Sequence, residues 1–127
     1  MRFFFLTLIS FLIAADDNAP LNRTRDREVD IHHIKIDVTV DIESSSVYGH
    51  VVHTLSPLSS ELRSFELDAE DMTIRRVRTS GKDIGFVHSG DKLHITMDRN
   101  ISWDDTVQVR VDYTALPRIG TYFIKPD

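Results

Sequence analysis

A chain of 127 residues is one domain at most, with room for a modest core and none for a core plus an elaborated catalytic domain. A hydrophobic content of 41% against 28% charged residues excludes wholesale disorder, and a net charge of −5 without any lysine or arginine block excludes an electrostatic footprint for nucleic acid. The absence of cysteine excludes at one stroke a disulfide framework, a thiolate zinc site and a cysteine nucleophile.

The chain opens with "MRFFFLTLISFLIAADDNAP": one arginine, an apolar run broken by Thr7 and Ser10 up to Ala15, then Asp16 and Asp17. That run is shorter than the roughly 20 apolar residues needed to cross a bilayer. Its length and the small Ala14 and Ala15 suit a secretory signal peptide over residues 1–15, although Ile13 is a poor residue for the cleavage site. A membrane anchor, or a buried first segment, is the competing reading. On the signal-peptide reading the mature chain is secreted, periplasmic or membrane-associated. Residues 16–30, polar and charged with one proline, read as a linker.

From Ile31 the pattern changes. "IKIDVTVDI" sets Ile34, Ile36, Val38, Val40 and Ile42 on one side and Lys35, Asp37, Thr39 and Asp41 on the other. Period-two alternation predicts a strand with its apolar face in the core and its polar face in water. "ESSS" is a turn, and "VYGHVVHTL" returns with Val47, Gly49, Val51, His53 and Leu55 on a common face, so the two runs form a hairpin. "LRSFELDA" and "MTIRRVRTSG" follow as strands, the second ending in a Ser80-Gly81 turn. "DIGFVH" leads through "SGDK" to "LHITM", where Leu93, Ile95 and Met97 alternate with His94 and Thr96. "NISWDD" reads as a polar connection, and "TVQVRVDYTA" points Val107, Val109, Val111 and Tyr113 inward. "RDRE" and "IRRVR" read as solvated surface. No window has amphipathic-helix spacing. Six or seven short strands separated by glycine and serine turns indicate an all-β antiparallel sandwich or open barrel.

Candidates for chemistry are thin. His50 and His53, three apart on a strand, face opposite ways, and the adjacent His32 and His33 diverge as well. A metal site would have to assemble across strands, for example from His33, His53 and His94 with a carboxylate. Exposed or cross-strand histidines, His88 included, are the simpler reading, and no metal ligand is assigned. The acidic groups Glu66, Asp68, Glu70, Asp71 and Asp104, Asp105 lack the spacing and glycine of a calcium loop. There is no G-x-S-x-G elbow, H-E-x-x-H, phosphate loop or dinucleotide fingerprint, so no catalytic, cofactor-binding or metal residue is named. Two glycosylation triplets, at Asn22 and Asn100, carry weight only if the chain is exported.

The order of the pieces says more than any one of them. Gly49 and Val51 in the hairpin strand, the Leu67-Asp68-Ala69 segment, Val77 and Gly81, then Tyr113, Pro117, Gly120, Tyr122 and Phe123 closing a valine-rich strand resemble the N-terminal β-sandwich of the aminopeptidase N-like zinc metallopeptidases, peptidase family M1. Thr121 stands where leucine is usual. The resemblance covers residues 31–124 and implies an incomplete sandwich over residues 31–127 ahead of a thermolysin-like catalytic domain. In that family zinc is held by H-E-x-x-H and a later glutamate, and G-x-M-E-N holds the substrate's amine; none of these motifs occurs here. The implied role is a non-catalytic scaffold, inactive by itself. Its partner would be the catalytic domain of a longer enzyme, with zinc and peptide substrate belonging only to that context. The closing "GTYFIKPD" then reads as a cut edge, with an exposed apolar patch expected at Leu116, Ile119, Tyr122, Phe123 and Ile124. A secreted binding module for carbohydrate or protein, and a non-catalytic relative of the family, are the rivals; the leader counts against a nuclear role.

Overall fold

The computed structural model describes residues 27–116. Eight strands run in chain order: β1 (Val29–Asp41), β2 (Ser46–Pro57), β3 (Leu62–Asp68), β4 (Met72–Thr79), β5 (Lys82–Asp83), β6 (Gly85–Ser89), β7 (Lys92–Ile101) and β8 (Val107–Ala115). They form a five-stranded sheet, order β1-β2-β8-β4-β5, and a three-stranded sheet, order β3-β7-β6, with every pairing antiparallel. The fold is an all-β antiparallel sandwich, as the alternation predicts. The leader, most of the linker and the apolar residues Ile119, Tyr122, Phe123 and Ile124 lie outside the described residues.

The turns follow from their residues. Asp41 Oδ1 accepts from the amides of Glu43 (3.0 Å) and Ser44 (3.1 Å), closing the β1–β2 hairpin as an Asx turn. Ser80 (φ 49°) and Gly81 (φ 78°) are both left-handed, the conformation that matches the twist of a two-residue β4–β5 hairpin.

The core lies between the sheets. Leu55, Val77, Val109 and Val111 face it from the larger sheet, and Phe65, Leu93, Ile95, Met97 and Ile101 from the smaller one. Ile101 was expected in a polar connection. It ends β7 instead, 1% exposed, because the polar neighbours of "NISWDD" mask one inward residue.

The larger correction concerns β1. Its apolar face, expected in the core, is open: Ile34, Ile36, Val38, Val40 and Ile42 are 47%, 64%, 46%, 52% and 51% exposed. In register these residues share a face with Val51 and, across β2, with Val111, so they do point to the core side. The three-stranded sheet nevertheless buries the β8–β4 half and, within β1, only Val29 at its start, so the strand from Ile34 onward stays open. Alternation fixes which side a residue takes, while burial needs a covering layer.

β1 also begins at Val29, within the segment read as linker, and a register shift between Ile31 and His33 puts an extra residue into the strand. That bulge keeps the odd-numbered Val29 and Ile31 on the same side as the even-numbered Ile34 and Ile36. The adjacent histidines mark it. A similar shift between Ile74 and Arg76 keeps Ile74 and Val77 on one face of β4.

Candidate functional site

The sequence candidates are dispersed over four surfaces. His32 sits in the β1 bulge with Nε2 3.0 Å from Ser56 Oγ, and His33 is exposed beside it. His50 lies on the outer face of the large sheet, opposite Asp37 and Asp112, whereas His53 lies on the inner face, opposite Ile34 and Val109. His88 Nε2 donates to the Ala69 carbonyl at 2.9 Å, which ties the end of β3 to β6. His94 is on the outer face of the small sheet, Nδ1 3.0 Å from Glu66 Oε1. The His33, His53 and His94 grouping is therefore not brought together. Among the described residues no three histidine or acidic side chains converge to hold a metal ion.

Several of the carboxylates have structural partners. Asp68 pairs with Lys92 across β3 and β7. Asp105 takes both guanidinium nitrogens of Arg99, at 3.2 and 3.0 Å, and its Oδ2 also accepts from the Ser102 amide at 2.9 Å. The hydrogen bond from Arg99, then that from Ser102, hold the Asp105 carboxyl at about 2. "WDDT" is thus a clamped turn rather than a calcium loop. On the outer face Asp112 bridges Arg110 Nε at 2.8 Å and Arg78 Nη2 at 2.9 Å. Partial burial raises the Asp112 carboxyl, but the two arginines outweigh it and leave it below the ordinary carboxylate range. Strand spacing does not disclose this cluster, since Arg78 and Asp112 are 34 residues apart.

One sizeable concavity is present among the described residues. A cleft of about 940 Å³ opens where the uncovered end of β1 stands away from the small sheet. Val29, Ile31, Ile34 and Leu67 form its apolar walls, and Glu28, Glu66 and Lys92 its rim. Glu28 spans it: its carbonyl accepts from the Leu58 amide at 2.9 Å and its Oε2 from the Glu66 amide at 3.2 Å, linking the two sheets. His53 also lines the cleft, with a buried Nδ1 that has no hydrogen-bond partner. Glu28, Asp30, Glu66 and Asp68 line the same cleft.

Burial pushes the His53 imidazole below its ordinary value. The folded state therefore binds this proton more weakly than the unfolded chain, and stability is unaffected above about pH 6.5 and falls as the pH drops below it. In denaturant titrations at neutral and mildly acidic pH, His53→Leu should lose less stability on acidification than the parent, because leucine fits between Ile34 and Val109 and does not titrate. Equal losses in both proteins would show that His53 is not responsible. Asp105 acts at lower pH: its contribution is present above the ordinary carboxylate value and disappears as the pH falls toward about 2.

Comparison with known proteins places this arrangement. No protein-family model matches the chain. Leukotriene A-4 hydrolase from Xenopus laevis is 31% identical over 94 residues, covering 69% of this chain and 15% of that protein. Among solved structures, an M1 zinc metallopeptidase from Deinococcus radiodurans, bound there to a Tyr-Ser-Ala substrate, superposes with a TM-score of 0.66 at 22% identity, covering 75% of this chain and 22% of that one. Native leukotriene A4 hydrolase from Saccharomyces cerevisiae gives a TM-score of 0.60 at 19% identity, covering 68% of this chain and 15% of its own. The solved structures establish the shared fold. The chain spans less than a quarter of the length of each of these relatives.

Proposed function

The chain belongs to the M1 zinc metallopeptidases through its N-terminal β-sandwich, and on that basis we propose that it is a non-catalytic scaffold domain of a zinc-dependent aminopeptidase. The observation that carries the reading is the sandwich fold shared with an M1 zinc metallopeptidase over a chain that spans less than a quarter of that protein's length. Zinc hydrolysis requires ligands converging on one ion with a general base beside it, and the dispersed histidines do not fit that requirement. The zinc, the peptide substrate and the catalytic domain all belong to the longer enzyme. In that setting the sandwich packs beside the catalytic domain and helps to wall off the substrate cavity. Leu116, just past the end of β8, is 63% exposed.

We also propose the organisation suggested by the sequence: a signal peptide over residues 1–15, a linker ending near the start of β1, and export from the cytoplasm. The length of the apolar run and its small terminal residues support this.

Sequencing the full-length transcript past codon 127 tests the scaffold reading. An open frame that goes on to encode G-x-M-E-N and H-E-x-x-H is the expected result. A stop codon followed by unrelated sequence would remove the catalytic partner and with it the proposal.

A further inference from the structure

β1 is a 13-residue strand at the edge of the five-stranded sheet, and the edge turned away from β2 pairs with no strand among the described residues. Long apolar edge strands that lack a cover are templates for pairing with another chain. Beyond the β1 bulge the strand is regular, and its sequence is self-complementary. If a second β1 lies antiparallel about a two-fold axis at Val38, Val38 faces Val38 and Ile36 faces Val40, with the pairing ending at Asp41, the last residue of the strand. On the other face, Lys35 meets Asp41 and Asp37 meets Thr39, each pair occurring twice by symmetry.

Neighbouring registers are worse. Centring on Asp37 opposes that carboxylate to itself, and centring on Thr39 opposes Asp37 to Asp41. Centring on Ile36 runs Val40 into the bulge at His32 and leaves Val40 without a regular partner. A slip of one residue sets apolar against polar faces. The carboxylate of Asp41 is already positioned by the turn that follows it.

We propose that β1 is a homotypic docking edge, on which a second copy of this chain adds its own β1 antiparallel about Val38 to make one continuous sheet. This goes beyond the scaffold reading and does not depend on it, since it concerns a backbone edge and its register rather than the catalytic domain.

Because the chain contains no cysteine, single cysteines report the register cleanly. The full 127-residue chain is used, at micromolar concentration, with a short thiol-reactive cross-linker. V38C should cross-link to itself, and I36C should cross-link to V40C in a mixture. I36C alone should give about tenfold less dimer than V38C, since its two copies would lie four residues, or about 13 Å, apart along the strands. Lys35→Asp, which opposes two carboxylates, should abolish the V38C product, whereas Lys35→Arg, which keeps the charge opposite Asp41, should retain it. A chain that sediments as a monomer overturns the proposal. So does cross-linking that is equal at positions 36 and 38 or indifferent to the charge reversal at Lys35, as association through the apolar leader would give.

Discussion

Gly49→Ala is expected to destabilise the sandwich by about 3 kcal/mol or more, at the upper end of what overpacking costs. Gly49 lies in β2 opposite Val38 of β1. A β-carbon there would overlap the Asp37 carbonyl oxygen and lie 2.9 Å from the Val38 Cα. Both obstacles are backbone, so no rotamer change relieves them and the two strands must move apart. Gly85 in β6 is the control, because a β-carbon on it would meet only Thr96 Cβ at 3.8 Å. Gly85→Ala should change stability by less than about 1 kcal/mol, in the stabilising direction, by restricting the unfolded chain. Denaturant unfolding of the two variants decides the matter; equal effects would show that close approach of the β1 backbone is not why glycine stands at position 49.

The second large effect belongs to Phe65→Ala, expected to remove about 3–5 kcal/mol. Phe65 is 2% exposed and sits midway along β3, at one edge of the three-stranded sheet, opposite Ile95 of the central strand, which is 0% exposed and in turn faces Phe86. Truncating it opens a cavity in the layer that covers Val77, Val109 and Val111. A domain of this size has a total stability of only about 5–10 kcal/mol, so the variant should unfold at much lower denaturant and populate unfolded chain near body temperature. Val87→Ala, on the opposite face of the same small sheet and 63% exposed in the parent, should stay within about 0.5 kcal/mol. If the two substitutions destabilise equally, the small sheet is not the cover of the core described above.

Much of this architecture is legible in the sequence because strand periodicity is a backbone property. Leu93, Ile95 and Met97 alternate and are all buried, and Val109 and Val111 point inward as expected. The hairpins at Asp41 and Ser80-Gly81 are visible because turn chemistry is local. What escapes is whatever depends on a distant layer. The β1 ladder from Ile34 to Ile42 alternates more cleanly than any other stretch, yet it is exposed, since alternation does not reveal how far the opposing sheet reaches. The change of parity around His32 and His33 is visible afterwards as Val29 and Ile31 followed by Ile34 and Ile36, but two adjacent histidines are not by themselves a bulge signal. Ile101 was hidden by its polar neighbours. Gly49 belongs to the family pattern, but its physical cause, the adjacent β1 backbone, is a contact no local pattern contains. For the site, strand geometry correctly separated His50 from His53. The buried Nδ1 of His53 and the Arg78–Asp112–Arg110 cluster needed the cross-strand register.

We propose that the sandwich is a non-catalytic scaffold, and direct assay of the chain tests that proposal. Residues 1–127 are purified, supplied with zinc, and incubated with aminoacyl chromogenic substrates, with and without a chelator. No chelator-sensitive release of amino acid and no stoichiometric retention of zinc after dialysis are expected. Turnover that disappears with the chelator and returns with zinc would contradict the proposal, because it would require ligands that the described residues do not bring together.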